Sequence, residues 1–158
     1  MNKKKFDIDM MKEELKRISG KEDIVFLEAV HKPKNLYDTR SKKFQGLEYV
    51  NGKRAILFSS IGDPEYFEET VKDLGANVLR HIVFPDHHNY SQNDIKNILR
   101  MCGERNFDIL VTTEKDAVKL GRMGFSVGSY SLMTLAVEMD ITAGRESLIV
   151  RLHSLYIS

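Results

Sequence analysis

The spacing of apolar residues changes period several times along the chain. Ile8, Met11, Leu15 and Ile18 recur at helical intervals and Gly20 follows them as a C-terminal stop, which predicts a helix over 7–20. DIVFLEAVH (23–31) is short and β-branched and reads as a strand, and the polar, turn-rich KPKNLYDTRSKKF (32–44) reads as an exposed loop. GLEYVNGKRAILFSS (46–60) reads as two strands meeting at Asn51-Gly52, a β-hairpin near the N-terminus. The second of them is nearly continuous in apolar residues, as a central strand buried on both faces must be.

From residue 61 onward the pattern alternates. IGDPEYFEETVKDLGA predicts a helix with Asp63 as N-cap, Pro64 at its first position and Gly75 near its end. NVLRHIVF (77–84) is the next strand. SQNDIKNILRMCGERN (91–106) is a helix capped by Ser91, with Asp94 in its first turn and Ile95, Ile98, Leu99 and Cys102 on its apolar face. FDILVTT, EKDAVKLG, SLMTLAVEMDI and GRESLIVRLHSLYI then predict strand, short helix, strand and terminal helix. Strands alternating with helices imply right-handed crossovers, so the expected fold is α/β, three-layered, with a largely parallel sheet flanked by helices. The expected division is a lead-in over 1–22 and a single domain over 23–158.

Composition narrows this picture without redirecting it. The chain has 158 residues, enough for one domain with a core, and a net charge of +1 argues against a nucleic-acid partner held by bulk electrostatics. The single cysteine, Cys102, excludes an internal disulfide and a cysteine-built zinc cluster, and a reducing, cytoplasmic setting fits. No apolar run reaches the roughly 18 residues that span a bilayer. The basic start NKKK is either a solvated terminus or a weak contact to anionic lipid.

In parallel sheets, ligands bind beyond the carboxyl ends of the strands. Three polar motifs fall there: Gly62-Asp63-Pro64, Asp86-His87-His88, and Thr112-Thr113-Glu114-Lys115-Asp116. In the second, a histidine after a strand end is either a proton shuttle oriented by Asp86 or part of a satisfied turn. In the third, the start of a helix either holds an anion or is simply capped by Thr113, with Asp116 in its first turn and Lys115 solvated. In the first, Gly62 either lets a ligand approach the backbone or serves the turn alone. No metal site is expected, since His31, His81 and His153 are scattered and no HxH or HExxH spacing occurs. Neither GxxxxGK[ST] nor GxSxG occurs, and Cys102 lies within an apolar stripe where an inert thiol is expected.

VFLEAVHKPKNLYD, FSSIGDPEYFEETVKDLGANVLRHIVFPDHHNYSQNDI and DILVTTEKDAVKL together resemble the C-terminal half of the tetraacyldisaccharide 4'-kinase family, over roughly residues 20–155. The resemblance implies the Rossmann-like C-terminal lobe of a P-loop kinase that phosphorylates the 4'-hydroxyl of the lipid A disaccharide precursor. ATP and Mg2+ are implied cofactors, with most of their ligands on a Walker A lobe absent from this sequence, so that the chain alone is expected to be inactive. Asp86 and His87 match the family's catalytic loop, His87 pairing with an aspartate of the other lobe. His88, Tyr90, Gly62, Thr113, Glu114, Lys115 and Asp116 match substrate or cleft-lining positions. Ser60 stands where the family more often has glycine, and Asp63 where asparagine is frequent; a turn needing positive φ would strain Ser60. The implied partners are a P-loop lobe on a separate chain, if the enzyme is split, and the lipid precursor. The implied location is cytoplasmic, with peripheral contact at the inner membrane. Two rival expectations are a non-catalytic sugar-phosphate or nucleotide-binding module and an α/β interaction domain without ligand.

Overall fold

The computed structural model describes residues 8–103, 106–123 and 130–156. Its elements are α1 (Ile8–Ser19), β1 (Glu28–Asp38), β2 (Phe44–Gln45), a 3-10 turn (Leu47–Val50), β3 (Arg54–Ser59), α2 (Pro64–Asp73), β4 (Asn77–Val83), α3 (Gln92–Gly103), β5 (Ile109–Thr113), α4 (Glu114–Arg122), β6 (Leu132–Ala143) and α5 (Arg145–Tyr156). The strands form one sheet in the order β2-β1-β6-β5-β3-β4. β3 runs parallel to β4 and β5, and β5 parallel to β6, while β1 and β2 pair antiparallel. The expected α/β fold with a largely parallel sheet is the one observed.

The chain divides into two compact units. One is Lys32–Glu138; the other takes residues up to His31 together with those from Met139 onward. In the first unit, β3 explains the layering, because its successive side chains point to opposite faces. Ala55 and Leu57 pack with Phe67 and Val71 of α2, while Ile56 and Phe58 pack with Ile95, Ile98 and Cys102 of α3 and Leu120 of α4. Helices therefore cover both sheet faces, and β3 is fully buried from Ala55 to Ser59. In the second unit α1 and α5 contribute no buried residue, and the stripe Ile8, Met11, Leu15 and Ile18 is exposed. A Lys12–Glu28 ion pair at 2.6 Å fastens α1 within this unit.

Two local expectations are corrected. The segment read as an exposed loop is mostly strand: β1 begins only at Glu28 and continues to Asp38. Only Leu36 of this strand is fully buried, so lysines and other polar residues are tolerated along it; backbone pairing holds the rest, with a Lys34–Glu138 ion pair at 3.1 Å. The expected hairpin near the N-terminus is present, but it lies at β1–β2 rather than at Asn51-Gly52. Its turn is made by Asp38, whose Oδ1 accepts from the Ser41 N–H (2.7 Å), the Ser41 hydroxyl (2.8 Å) and the Arg40 N–H (3.2 Å). Asn51-Gly52 does turn the chain, but it joins the 3-10 turn to β3, and the Gly52 N–H is held by the Gly75 carbonyl at 2.8 Å. Gly75 itself has φ +89°, and a Cβ there would run into the Asn51 side chain.

The NKKK run lies outside the described residues. Among the described residues no helix is long and apolar enough to cross a membrane.

Candidate functional site

The three polar motifs converge at the carboxyl edge of β3, β4 and β5. β3 ends in buried Ser59 and Ser60, after which Ile61 and Gly62 lead into α2. Asp63 caps that helix by accepting from the Tyr66 N–H at 3.0 Å, with Pro64 in the first turn. Gly62 faces the second motif: a Cβ built on it would lie 3.6 Å from Asp86 Oδ2, an ordinary contact. Ser60 is not among the positive-φ residues, so the strain expected there is absent.

The second motif leaves β4 with the Phe84 N–H bonded to the Ser59 carbonyl at 2.9 Å and turns at Pro85, whose carbonyl accepts the His88 N–H at 3.1 Å. The adjacent histidines then point apart. His87 has φ +59° and a side chain 76% exposed; its Nε2 lies 3.6 Å from Asp86 Oδ2. His88 turns inward, stacks on Phe84 with ring centroids 4.9 Å apart, and sets Nε2 3.0 Å from Asp94 Oδ2. Tyr90 is buried, edge-on to Phe58, Phe84 and His88. Ser91 and Asp94 close the start of α3 reciprocally, Asp94 N–H to Ser91 Oγ at 3.2 Å and Ser91 N–H to Asp94 Oδ2 at 2.7 Å. The Ser91 hydroxyl, His88 and the Ser91 N–H hold the Asp94 carboxyl below its ordinary value.

The third motif separates into a buried and an exposed tier. The Thr112 hydroxyl donates to the Phe58 carbonyl at 3.0 Å and stitches β5 to β3. Thr113 caps α4, accepting the Asp116 N–H at 3.2 Å. Asp116 has no exposed surface; it accepts the Ser60 N–H at 3.0 Å, the Thr113 hydroxyl at 2.8 Å and the Ser60 hydroxyl. Glu114 and Lys115 are exposed, and Lys115 Nζ donates to Asp86 Oδ1 at 3.3 Å. Partial desolvation pushes the Asp86 carboxyl up, but the Lys115 hydrogen bond, the His87 N–H and the electrostatic pull of the neighbouring His87 and Lys115 outweigh it, leaving the carboxyl below its ordinary value.

Of the residues singled out from sequence, Gly62, Asp86, His87 and Lys115 meet as an exposed group. Thr113 and Asp116 lie beneath them, His88 and Tyr90 pack the loop from inside, and Glu114 stays at the surface. Sequence reasoning missed Lys119, whose Nζ donates to Ser60 Oγ at 2.7 Å and to the His88 carbonyl at 3.0 Å. Its one sequence signal is its place three residues after Asp116, on the same side of α4. His81 was also passed over. It lies between Ser59 Oγ (2.8 Å) and Glu68 Oε2 (3.1 Å), the order of a serine–histidine–carboxylate relay. Ser59 has no exposed surface and the His81 side chain is 4% exposed, so no substrate reaches this relay and its work is to tie α2 to the sheet. Among the described residues no three His, Cys, Asp or Glu side chains are grouped to hold a metal ion.

This arrangement presents one exposed imidazole beside a carboxylate–ammonium pair, on a rigid buried base. It can accept or pass a proton and can meet an anionic or hydroxyl-bearing group.

The model of the tetraacyldisaccharide-1-P 4'-kinase family matches residues 2–154. A tetraacyldisaccharide 4'-kinase of Elusimicrobium minutum is 36% identical over 125 residues, covering 79% of this chain and 32% of that protein. The one of Syntrophus aciditrophicus is 37% identical over 94 residues, covering 60% of this chain and 25% of its own length. A solved structure of LpxK from Aquifex aeolicus in complex with ATP is similar at TM-score 0.48 and 22% identity, over 79% of this chain and 35% of that one. The chain thus spans about a third or less of these relatives. A match over residues 2–154 takes in all three motifs of the carboxyl edge: the chain belongs to the tetraacyldisaccharide 4'-kinase family.

Proposed function

We propose that this chain acts as the C-terminal lobe of a tetraacyldisaccharide 4'-kinase and contributes to ATP-dependent phosphorylation of the 4'-hydroxyl of the lipid A disaccharide precursor. The observation that carries the reading is the exposed imidazole of His87, held beside Asp86 and Lys115 where three strands end. Transfer of a phosphoryl group to a sugar hydroxyl needs the hydroxyl deprotonated and aligned, and little else in the way of covalent chemistry. His87 reaches outward from the loop, so a carboxylate on a facing lobe can pair with it when the two lobes close. Lys115 offers a single cation to an anionic oxygen.

When bound, magnesium-ATP supplies the phosphoryl group and neutralises its charge. The described residues do not fit a magnesium site, since they hold no grouped set of ligands. The sequence also contains no GxxxxGK[ST] loop. In this reading the nucleotide phosphates and metal are held by a segment outside these 158 residues, and the chain alone does not transfer phosphate. The acceptor is a lipid, so the reaction takes place at the cytoplasmic side of the inner membrane with the protein in peripheral contact.

The test is reconstitution. The chain is mixed with a separately produced P-loop lobe of the same family, magnesium-ATP and a disaccharide lipid acceptor, and phosphate transfer is followed with and without His87→Ala. Transfer that needs both chains and needs His87 is the expected result. Headgroup or nucleotide binding without transfer would replace the kinase reading with a binding module; binding of neither would leave an interaction domain.

A further inference from the structure

The loop that carries His87 is held at a cost, and one side chain is placed to hold it. Two features set the problem. His87 occupies the left-handed region at φ +59°, a conformation that a non-glycine residue keeps only where its surroundings enforce it. Its own side chain does not enforce it, being 76% exposed. The enforcement has to come through the neighbouring peptides.

Lys119 supplies it. Its Nζ donates to the carbonyl of His88, the residue next to His87, at 3.0 Å. The ammonium is in turn fixed from below. The Ser60 hydroxyl gives its one hydrogen to Asp116, which leaves its oxygen free to accept from Lys119 at 2.7 Å. Asp116 Oδ1 lies 3.6 Å from Nζ and balances its charge, and the buried Tyr90 ring flanks it with its centroid 5.9 Å away. The serine hydroxyl passes the bond on from Asp116 to the lysine, and another ammonium hydrogen goes to the loop carbonyl. We propose that Lys119, seated on Ser60 and Asp116, is a positioning residue that fixes the Asp86-His87-His88 loop and so aims the His87 imidazole. In this chain Ser60 is then a working part of the latch. The proposal deepens the kinase reading and rests on it for its functional consequence, though the latch itself can be tested without any activity.

Lys119→Met and Ser60→Ala each remove one joint, and Lys119→Arg keeps the charge. Amide hydrogen exchange on the full chain, read by NMR, follows His87 and His88 against Leu57 of β3 and Val111 of β5. The expectation is exchange about tenfold faster at His87 and His88, with Leu57 and Val111 unchanged, in both Met and Ala variants, and partial recovery in Lys119→Arg. In the reconstituted reaction the same variants should lower kcat about tenfold with the KM for ATP unchanged, as for a group that acts on alignment rather than on nucleotide binding. Unchanged exchange at the loop would overturn the latch, as would exchange rising equally in β3 and β5. A loosened loop with kcat intact would overturn the positioning role. A loosened loop with no phosphate transfer even from the unaltered chain would uphold the latch and remove the kinase reading instead.

Discussion

Replacing His87 by glycine and, separately, by alanine distinguishes a residue kept for its side chain from one kept for stability. Both changes delete the imidazole and its long contact to Asp86, a pair exposed on both sides, so whatever that contact contributes cancels between them. What differs is the backbone. At φ +59° alanine retains the left-handed cost of about 1 kcal/mol, and glycine does not. Glycine gives back roughly 0.5–1 kcal/mol through its freer unfolded chain. The two variants should therefore lie within about 0.5 kcal/mol of each other with glycine ahead, and His87→Gly should match or slightly exceed the unaltered chain. At this chain length about 0.5 kcal/mol corresponds to a shift of about 1–2 °C in Tm.

Urea unfolding of the three proteins, compared at a common m-value, resolves such differences better than a thermal scan. A loss of more than about 2 kcal/mol in both variants would refute the reasoning, because it would mean that the ring supports the fold. Alanine clearly more stable than glycine would refute it differently, by showing that the backbone there is not left-handed. The expected outcome means that the chain carries a conformationally costly residue whose side chain contributes little to the fold. Under the proposed function, the imidazole of such a residue serves what it meets on a facing lobe.

Two further outcomes follow from buried groups. Burial lowers the His81 pKa, and pairing with Glu68 only partly offsets it, so the unfolded chain binds a proton that the folded one resists. Stability should be fully present above the unfolded value of 6.5 and fall as pH drops below it; urea midpoints at pH 7.5 and 5.5 should differ less in His81→Gln than in the unaltered chain, and an equal difference would contradict the assignment. Burial also pushes the Cys102 thiol up to about 11, so a thiol reagent at neutral pH should label it only as fast as α3 opens, and rapid stoichiometric labelling in native buffer would show that the thiol is reachable.

The elements legible in the sequence are those whose cause is local. Asp63-Pro64 and Ser91 with Asp94 announce α2 and α3 because capping is a contact among near neighbours, and the structure makes those bonds. β3 and β5 announce themselves because strands covered on both faces need unbroken apolar runs. β1 does not, since its place in the sheet rests on backbone pairing and on Leu36, with lysines and a proline around them. Its turn was missed for the same reason: Asp38 collects donors two and three residues ahead, a bond pattern that an Asn-Gly search does not detect.

The site divides in the same way. That three motifs would meet at one edge was legible, because a parallel sheet sends every strand end to the same side. Which member of each motif faces outward was not. His87 and His88 are neighbours with opposite orientations because His87 itself has a left-handed backbone, and His88 finds Phe84 and Asp94 on the inside. Asp116 reads as an ordinary first-turn carboxylate and is instead wholly buried, because its partner Ser60 lies 56 residues earlier and only the β3–β5 pairing brings the two together. Polar residues of this kind are expensive to bury and are kept only where each is satisfied. The serine, the carboxylate and the lysine bond to one another, Thr113 anchors the carboxylate, and a bond from the lysine goes on to the loop bearing His87. Through the Lys119 bond to the His88 carbonyl, this buried cluster ties the loop that carries the left-handed His87 to the β3–β5 frame beneath it, as the proposed latch requires.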